Sequence, residues 1–452
     1  MNNAANIRDM IFGLDALVEL DNKRMAPAIN LDNAATTPPF KKVVQEIEEQ
    51  LMYYGSIGRG KGYKSEHSTA LYTSGRDIVK DFVGANSDIY TVFYVNSTTD
   101  GINKLASALI ESPEDIVLTT RMEHHANDLP WRERAKTVYA EVDAKGRLII
   151  DDIERLLQMH EGKIKYVSVT AASNVTGYIN DVHRIAGLAH QYKAKIIVDG
   201  AQIVAHREFS MLGQTEEENI DFFVFSAHKM YSPFGGGAVV GLSEELNKHI
   251  PQFCGGGMVD AVCDDSELYL PAPDLYEAGS PNYPGVVGML QAIKILKGIG
   301  FDYIRQHEQR LMKLALDGLK ELDEVILYGD NENILDRVGI IIFNLCEIKN
   351  DLVANILAGH SGIAVRHAAF CAHPYAHRLL GPNKPEPSCH TPEGMVRISF
   401  GIYNNEAELD CFLTTIREIL SYEHLRRSST ASIQDSVFRN QNAGNFSLHE
   451  KY

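Results

Sequence analysis

The six cysteines of this 452-residue chain form no Cys-x-x-Cys pair, so neither a structural zinc site nor a dithiol redox motif is expected. No apolar run approaches the ~20 residues that a membrane-spanning helix needs. The first ten residues lack the basic, then apolar, pattern of a secretory signal. Positive charge is short: 43 Lys and Arg stand against 60 Asp and Glu, a formal net charge of −17. That balance argues against a phosphate-backbone partner. Internal repeats are missing as well. These absences point to a protein with neither a membrane nor a nucleic acid as partner, and its expected location is cytoplasmic. In a reducing cytoplasm most of the cysteines, Cys346 and Cys411 among them, should be small buried hydrophobes.

What is present begins with ordinary composition, 44% apolar and 23% charged, over a length that points to two domains. Residues 222–225, Phe-Phe-Val-Phe, have the pattern of a strand buried on both faces. The run ends in Ser226, His228 and Lys229. Pro233 and the glycines at 235–237 then reverse the chain into a second apolar run at 238–240. A lysine at the end of a buried strand is half-desolvated, loses its proton more readily and becomes a nucleophilic amine. Its commonest partner in a large α/β enzyme is the aldehyde of pyridoxal 5'-phosphate (PLP). The plainer alternative is a solvated lysine in a hairpin loop.

A further buried strand is expected in Lys195-Ile-Ile-Val-Asp-Gly-Ala-Gln202, delivering an acid, Asp199, at its C-terminal end. Ligands of open parallel sheets gather beyond the carboxyl ends of the strands, so Asp199 and Lys229 are expected on one rim. PLP needs a carboxylate for its pyridine nitrogen and a lysine for its aldehyde. Aspartates after strands also serve metals and ribose, so the pair says more than either residue.

In chain order, residues 7–20 have helical apolar spacing, and a short strand from residue 29 runs into a proline-stopped turn. Helices are expected at 40–52 and 68–83, around a glycine-rich, basic loop at 53–65. Strands and helices then alternate, with strands at 91–95, 115–119, 138–142 and 164–170 and a helix at 181–192. Repeated β-α-β units imply an α/β fold with a mostly parallel sheet flanked by helices. Ser97-Thr-Thr-Asp-Gly101 opens a helix whose free N–H groups suit a phosphate and equally suit a plain N-cap. Glu123-His124-His125 invites a metal, but adjacent histidines do not readily face one ion and no third ligand is nearby. An imidazole stacked on a flat aromatic cofactor suits that position.

Helices at 285–299 and 301–322 lead to a strand at 339–345, a helix at 351–358 and a strand at 363–371 running into a loop. An irregular segment at 372–392 with five prolines, a strand at 395–400 and a helix at 405–425 follow. The expected units are a helical extension at 1–28, a large domain at 29–300, a smaller α+β C-terminal domain at 301–427 and a polar, disordered tail at 428–452.

Nine segments carry a more specific signal. They are Leu31-Asp-Asn-Ala-Ala-Thr-Thr37, Ser97-Thr-Thr-Asp-Gly101, Met122-Glu-His-His-Ala-Asn127, Ser173-Asn-Val-Thr-Gly177, Val198-Asp-Gly-Ala-Gln202 and Phe225-Ser-Ala-His-Lys229. Tyr276-Glu-Ala-Gly-Ser-Pro-Asn282, Gly362-Ile-Ala-Val-Arg366 and residues 396–404 complete the set. With these segments in this order, the chain resembles the class V aminotransferase family of PLP enzymes. Within that family it is similar to the SUF-type cysteine desulfurase and selenocysteine lyase branch.

The resemblance implies fold type I of the PLP-dependent transferases, PLP as cofactor and a homodimer. It implies that Lys229 bonds the cofactor aldehyde, Asp199 meets the pyridine nitrogen, His124 stacks on the ring and Gln202 reaches the phenolic oxygen. Thr99, Ser226 and His228 should hold the phosphate, with Ser280 supplied by the neighbouring subunit. Asn174 and Arg397 should hold the substrate carboxylate, with Arg59 reaching in from the other subunit. A bidentate guanidinium suits such a carboxylate. The implied reaction turns L-cysteine, or a related amino acid, into L-alanine and leaves the sulfur on Cys371 as a persulfide. From there it would pass to an acceptor protein, as in iron–sulfur cluster assembly. Other class V reactions, an aminotransferase, epimerase, C–S lyase or selenocysteine lyase acting without a persulfide, remain the alternative. Three departures stand out. His367-Ala-Ala-Phe370 replaces the Gly and His residues expected before the cysteine, the segment between Cys371 and Arg397 is longer, and Gly58 stands beside Arg59 in place of histidine.

Overall fold

The apolar runs read above pair into one sheet in the computed structural model, which describes residues 7–85, 89–233, 235–381 and 394–428. Its strands are β1 (Tyr90–Val95), β2 (Ile116–Thr120), β3 (Lys136–Ala140), β4 (Ile164–Thr170), β5 (Lys195–Asp199), β6 (Phe222–Ser226) and β7 (Gly237–Leu242). The spatial order is β1-β7-β6-β5-β4-β2-β3. Neighbours from β3 through β6 are parallel, and β7 is antiparallel to both β6 and β1. The sheet is therefore mostly parallel, as the alternation of strands and helices implies.

Strand periodicity places successive side chains on opposite faces, and β6 uses both. Phe223 and Phe225 enter one core with Val198 and Val240, while Phe222 and Val224 enter a second with Ile197 and Val239. Fully burying each such side chain contributes about 1.5–3 kcal/mol, so β6 is held from both sides and its last residues have little freedom. The helix Thr98–Leu109 lies close against this sheet. A Cβ on Gly101 would come within 2.6 Å of Val224 and 2.8 Å of Val239, which explains a glycine in a helix where alanine is otherwise preferred.

The C-terminal part is a second sheet of β8 (Val325–Leu327), β9 (Ile340–Leu345), β10 (Arg366–Ala368) and β11 (Met395–Ser399), in the order β8-β9-β11-β10. It has its own core, to which Ile341, Phe343, Val396, Ile398 and Phe412 belong. The helix Phe301–Lys320 links the two sheets. Buried Glu308 on that helix pairs with His206 at 2.5 Å and Arg207 at 3.0 Å, both from the loop after β5.

Several expectations are corrected. Residues 7–20 are not one helix: after a single turn at 7–9, Leu17–Glu19 pairs with Met25–Pro27 as a hairpin. The segment expected to be irregular contains the helix His373–Leu380, with Pro374 in its first turn, where the missing N–H is harmless. Residues 382–393 and 429–452, including Cys389 and nearly all of the expected tail, lie outside the described residues. Cys346 is exposed in the turn after β9, and Cys254, Cys263 and Cys371 are exposed too, so burial does not explain these cysteines. The helix Ile150–His160 and the hairpin Val259–Val262 with Glu267–Tyr269 add elements not read from the sequence. Among the described residues no helix is long and apolar enough to cross a membrane.

Candidate active site

Parallel strands send their carboxyl ends to one rim, and the loops there carry the polar groups. One pocket on that rim is lined by Lys229, Asp199, His124, Gln202, Asn174, Ser226, His228, Thr99, Arg397 and Cys371. Ten of the twelve expected site residues thus meet, brought from loops after five strands and from the C-terminal sheet. Ser280 and Arg59 do not reach it. Ser280 is exposed in a separate cleft with Asn282 and Lys104, and the exposed Arg59 donates from Nη2 to the Val259 carbonyl at 2.8 Å.

Burial sets the electrostatics. Desolvation pushes the Lys229 ammonium down to about 8, with Asp199 opposing and Arg397 assisting. Asp199, 4% exposed, is pushed up by burial, offset by the Ala201 N–H at 2.9 Å and by Lys229. His124 accepts the Ala126 N–H at Nδ1, 3.0 Å away, which leaves Nε2 as the protonated nitrogen of a neutral ring. Burial, then Lys229, lowers its pKa to about 3, so the imidazole stays neutral. Burial likewise brings His228 down to about 4.

On the same rim, Ser226 at the tip of β6 meets the start of the helix Thr98–Leu109. Its hydroxyl accepts the Thr98 N–H at 2.7 Å and pairs with the Thr98 hydroxyl at 2.8 Å. Ser97 caps the helix by accepting the Asp100 N–H at 3.2 Å. Hydroxyls grouped at a helix N-terminus make an anion cradle. The pocket therefore combines an anion cradle, a buried carboxylate and a half-buried amine. Asp199 has only one backbone N–H against its burial, a deficit that a protonated pyridine nitrogen would fill. Buried Gln202 donates to the Ala34 carbonyl at 2.8 Å and leaves its own Oε1 unpaired. This donor set fits PLP.

Arg397 on β11 is 2% exposed. It donates from Nη1 to the Asn174 carbonyl and from Nη2 to Asp32, both at 2.8 Å, and its Nε is unpaired. Asp32 also lies 3.6 Å from Arg366. Sequence reading assigned no role to Asp32, Arg366, Thr98 or Glu123, although each stands in a quoted segment. Buried Glu123 accepts from Thr120 at 2.6 Å, Asn127 at 2.7 Å and the Thr170 N–H at 3.1 Å. These bonds fix the turn that carries His124. Burial pushes its carboxyl up to about 8, with Asp199 adding to the rise.

The pattern for Aminotransferase class-V matches residues 29–412, and the chain belongs to that family. It is 34% identical over 399 residues to a cysteine desulfurase of Haloferax volcanii, covering 86% of this chain and 89% of the relative. It is 33% identical over 404 residues to a cysteine desulfurase of Klebsiella pneumoniae, covering 87% and 93%. Among solved structures it is similar to the apo cysteine desulfurase of Thermococcus onnurineus, with TM-score 0.78, 31% identity and coverage of 87% and 95%. The cysteine desulfurase CsdA of Escherichia coli matches with TM-score 0.77, 28% identity and coverage of 93% and 99%. Membership in this family makes the chain a PLP-dependent enzyme of fold type I.

The depressed lysine gives a direct prediction. Only the neutral amine attacks an aldehyde, so trapping of a small aldehyde on Lys229 with borohydride should rise with pH and level off above about 8. Surface lysines need roughly pH 10.4. Peptide mapping across a pH series reads the profile, and a midpoint near 10 at Lys229 would contradict the depressed value.

Proposed function

We propose that this chain is a PLP-dependent cysteine desulfurase that converts L-cysteine to L-alanine and carries the sulfur on Cys371. One observation carries the reading: the Cys371 thiol shares a pocket with Lys229, Asp199 and Arg397. The cysteine desulfurase relatives, at 33–34% identity over most of both chains, support the same activity.

When bound, PLP supplies a sink for the electron pair released at the substrate Cα. Asp199 would keep the pyridine nitrogen protonated, with His124 on the face of the ring and Gln202 at the phenolic oxygen. The hydroxyls of Thr99, Ser226 and Thr98, together with His228, would hold the phosphate. Arg397 and Asn174 would orient the substrate carboxylate, with Asp32 fixing the guanidinium from behind. Lys229, with a pKa near 8, is basic enough to take the Cα proton and acidic enough to return one. Cys371 attacks the substrate sulfur as thiolate. A sulfur–sulfur bond forms, the substrate C–S bond breaks with its electron pair left on the carbon skeleton, and a proton there completes alanine. No outside oxidant is needed, and a thiol or acceptor protein later removes the persulfide sulfur.

Cys371→Ser should bind L-cysteine, because Lys229, Asp199 and Arg397 are untouched. It should lose alanine and sulfide formation by about 100-fold or more, the loss expected when a nucleophile is removed, whereas Cys263→Ser should lose little. Product analysis by chromatography decides it, and full turnover by Cys371→Ser would assign the chain to the persulfide-free reactions of the family.

The same reading makes the active unit a homodimer in which Ser280 and Arg59 complete the site of the neighbouring copy. Neither lines the pocket of its own chain, which supports it. Mixing Lys229→Ala with Arg59→Ala subunits should restore part of the activity through one intact composite site. Verified heterodimers with no recovery would count against a shared site.

A further inference from the structure

The turn bearing Cys371 is strained. Ala368, Phe370 and Cys371 all have positive φ, at 81°, 56° and 54°, in a stretch without glycine. Each such residue is strained and persists only where its surroundings over-determine it. Two donors from the large sheet catch successive carbonyls of this turn. Asn174 Nδ2 donates to Phe370 at 2.8 Å, and the His125 backbone N–H donates to Cys371 at 2.7 Å.

His125 is itself held from the other side of the turn. Its ring stacks on His373, with centroids 4.8 Å apart and planes 10° from parallel. His125 Nε2 lies 2.9 Å from His373 Nδ1 and accepts the His373 backbone N–H at 3.4 Å. With Nε2 accepting, His373 Nδ1 carries the proton between the rings. His373 stands two residues beyond Cys371, so His125 is held at the cysteine's own carbonyl and again just after it. Neither ring is among the groups that line the pocket, which separates this pair from the machinery that meets substrate.

We infer that His125 and His373 form a clasp between the two sheets that fixes Cys371 over the pocket, a positioning pair for sulfur transfer. The arrangement supplies a hold on the cysteine turn where His367-Ala-Ala-Phe370 departs from the family pattern. The inference rests on Cys371 as sulfur carrier for its effect on turnover, but the clasp itself is a property of the turn. An attack on sulfur requires the thiolate near contact distance and in line, and displacement by about 1 Å can cost 100-fold.

The test uses full-length holoenzyme with dithiothreitol as sulfur acceptor. His373 is exposed, so His373→Ala should leave the melting temperature and the absorbance of the bound cofactor unchanged. The KM for L-cysteine should stay within about twofold, while kcat falls about 10- to 100-fold. Amide hydrogen exchange across residues 369–373 and at His125 should quicken by roughly tenfold as the turn opens locally. His373→Asn keeps a side-chain N–H for His125 Nε2 and should restore most of both readouts. Wild-type kcat and exchange in His373→Ala would overturn the clasp, as would His373→Asn impaired as severely as His373→Ala. Faster exchange with undiminished kcat would uphold the clasp and remove Cys371 from the chemistry.

Discussion

An amine and a carboxylate are held out of water at the ends of two adjacent parallel strands, and the site depends on that arrangement. Lys229 follows β6 and Asp199 ends β5, the strands being paired directly. Each is brought toward its neutral form by the same cause, burial, and each partly offsets the other. A charge left so poorly compensated is costly unless a partner arrives. A cofactor with a cationic ring nitrogen and an electrophilic aldehyde supplies a partner to both. The two cores that grip β6 from opposite faces keep the amine in place, so the fold's stability and the site's electrostatics share one origin.

The pocket also draws on the second sheet. Arg397 and Cys371 come from the C-terminal part, while Asn174 comes from the loop after β4. The Asn174 side chain and main chain bond Phe370 and Arg397 respectively. Asp32, more than 360 residues away in sequence, completes the ring by holding Arg397 from the N-terminal strand side. The buried contact of Glu308 with His206 and Arg207 ties the linking helix to the loop after β5. Thiol, guanidinium and amine are thereby kept in one frame although they belong to different cores.

The strands that make the rim were legible because they are short, apolar and end abruptly in polar residues. Buried parallel strands leave that mark: residues 164–170 form a strand with the expected bounds, while the strand expected over 195–202 ends at Asp199. Most of the ten expected site residues that converge on the pocket do so for the same reason, lying at or just beyond the end of a strand, whereas Arg397 lies within β11. Local periodicity failed at the N-terminus, where Leu17 is 57% exposed and Val18 36%. Their apolar spacing reflects a surface hairpin, not a helix face. Proline content misleads over residues 373–380, since Pro374 stands in the first turn of a helix; residues 382–392 lie outside the described residues. Cys346 lies just past the end of its strand, so the apolar run preceding it said nothing about its own exposure. Asp32 and Glu123 stood in recognised segments, but their work depends on partners from other loops, which spacing alone does not reveal.

The proposed route of sulfur to the Cys371 thiol, in a pocket organised around Lys229, can be followed by mass. Mass spectrometry of peptides from holoenzyme exposed briefly to L-cysteine without a reductant, then alkylated, tests it most directly. The peptide containing Cys371, and no other cysteine peptide, should gain about 32 Da, one sulfur atom. Added sulfur on Cys254, Cys263 or Cys346 with Cys371 unmodified, while alanine is still produced, would contradict it.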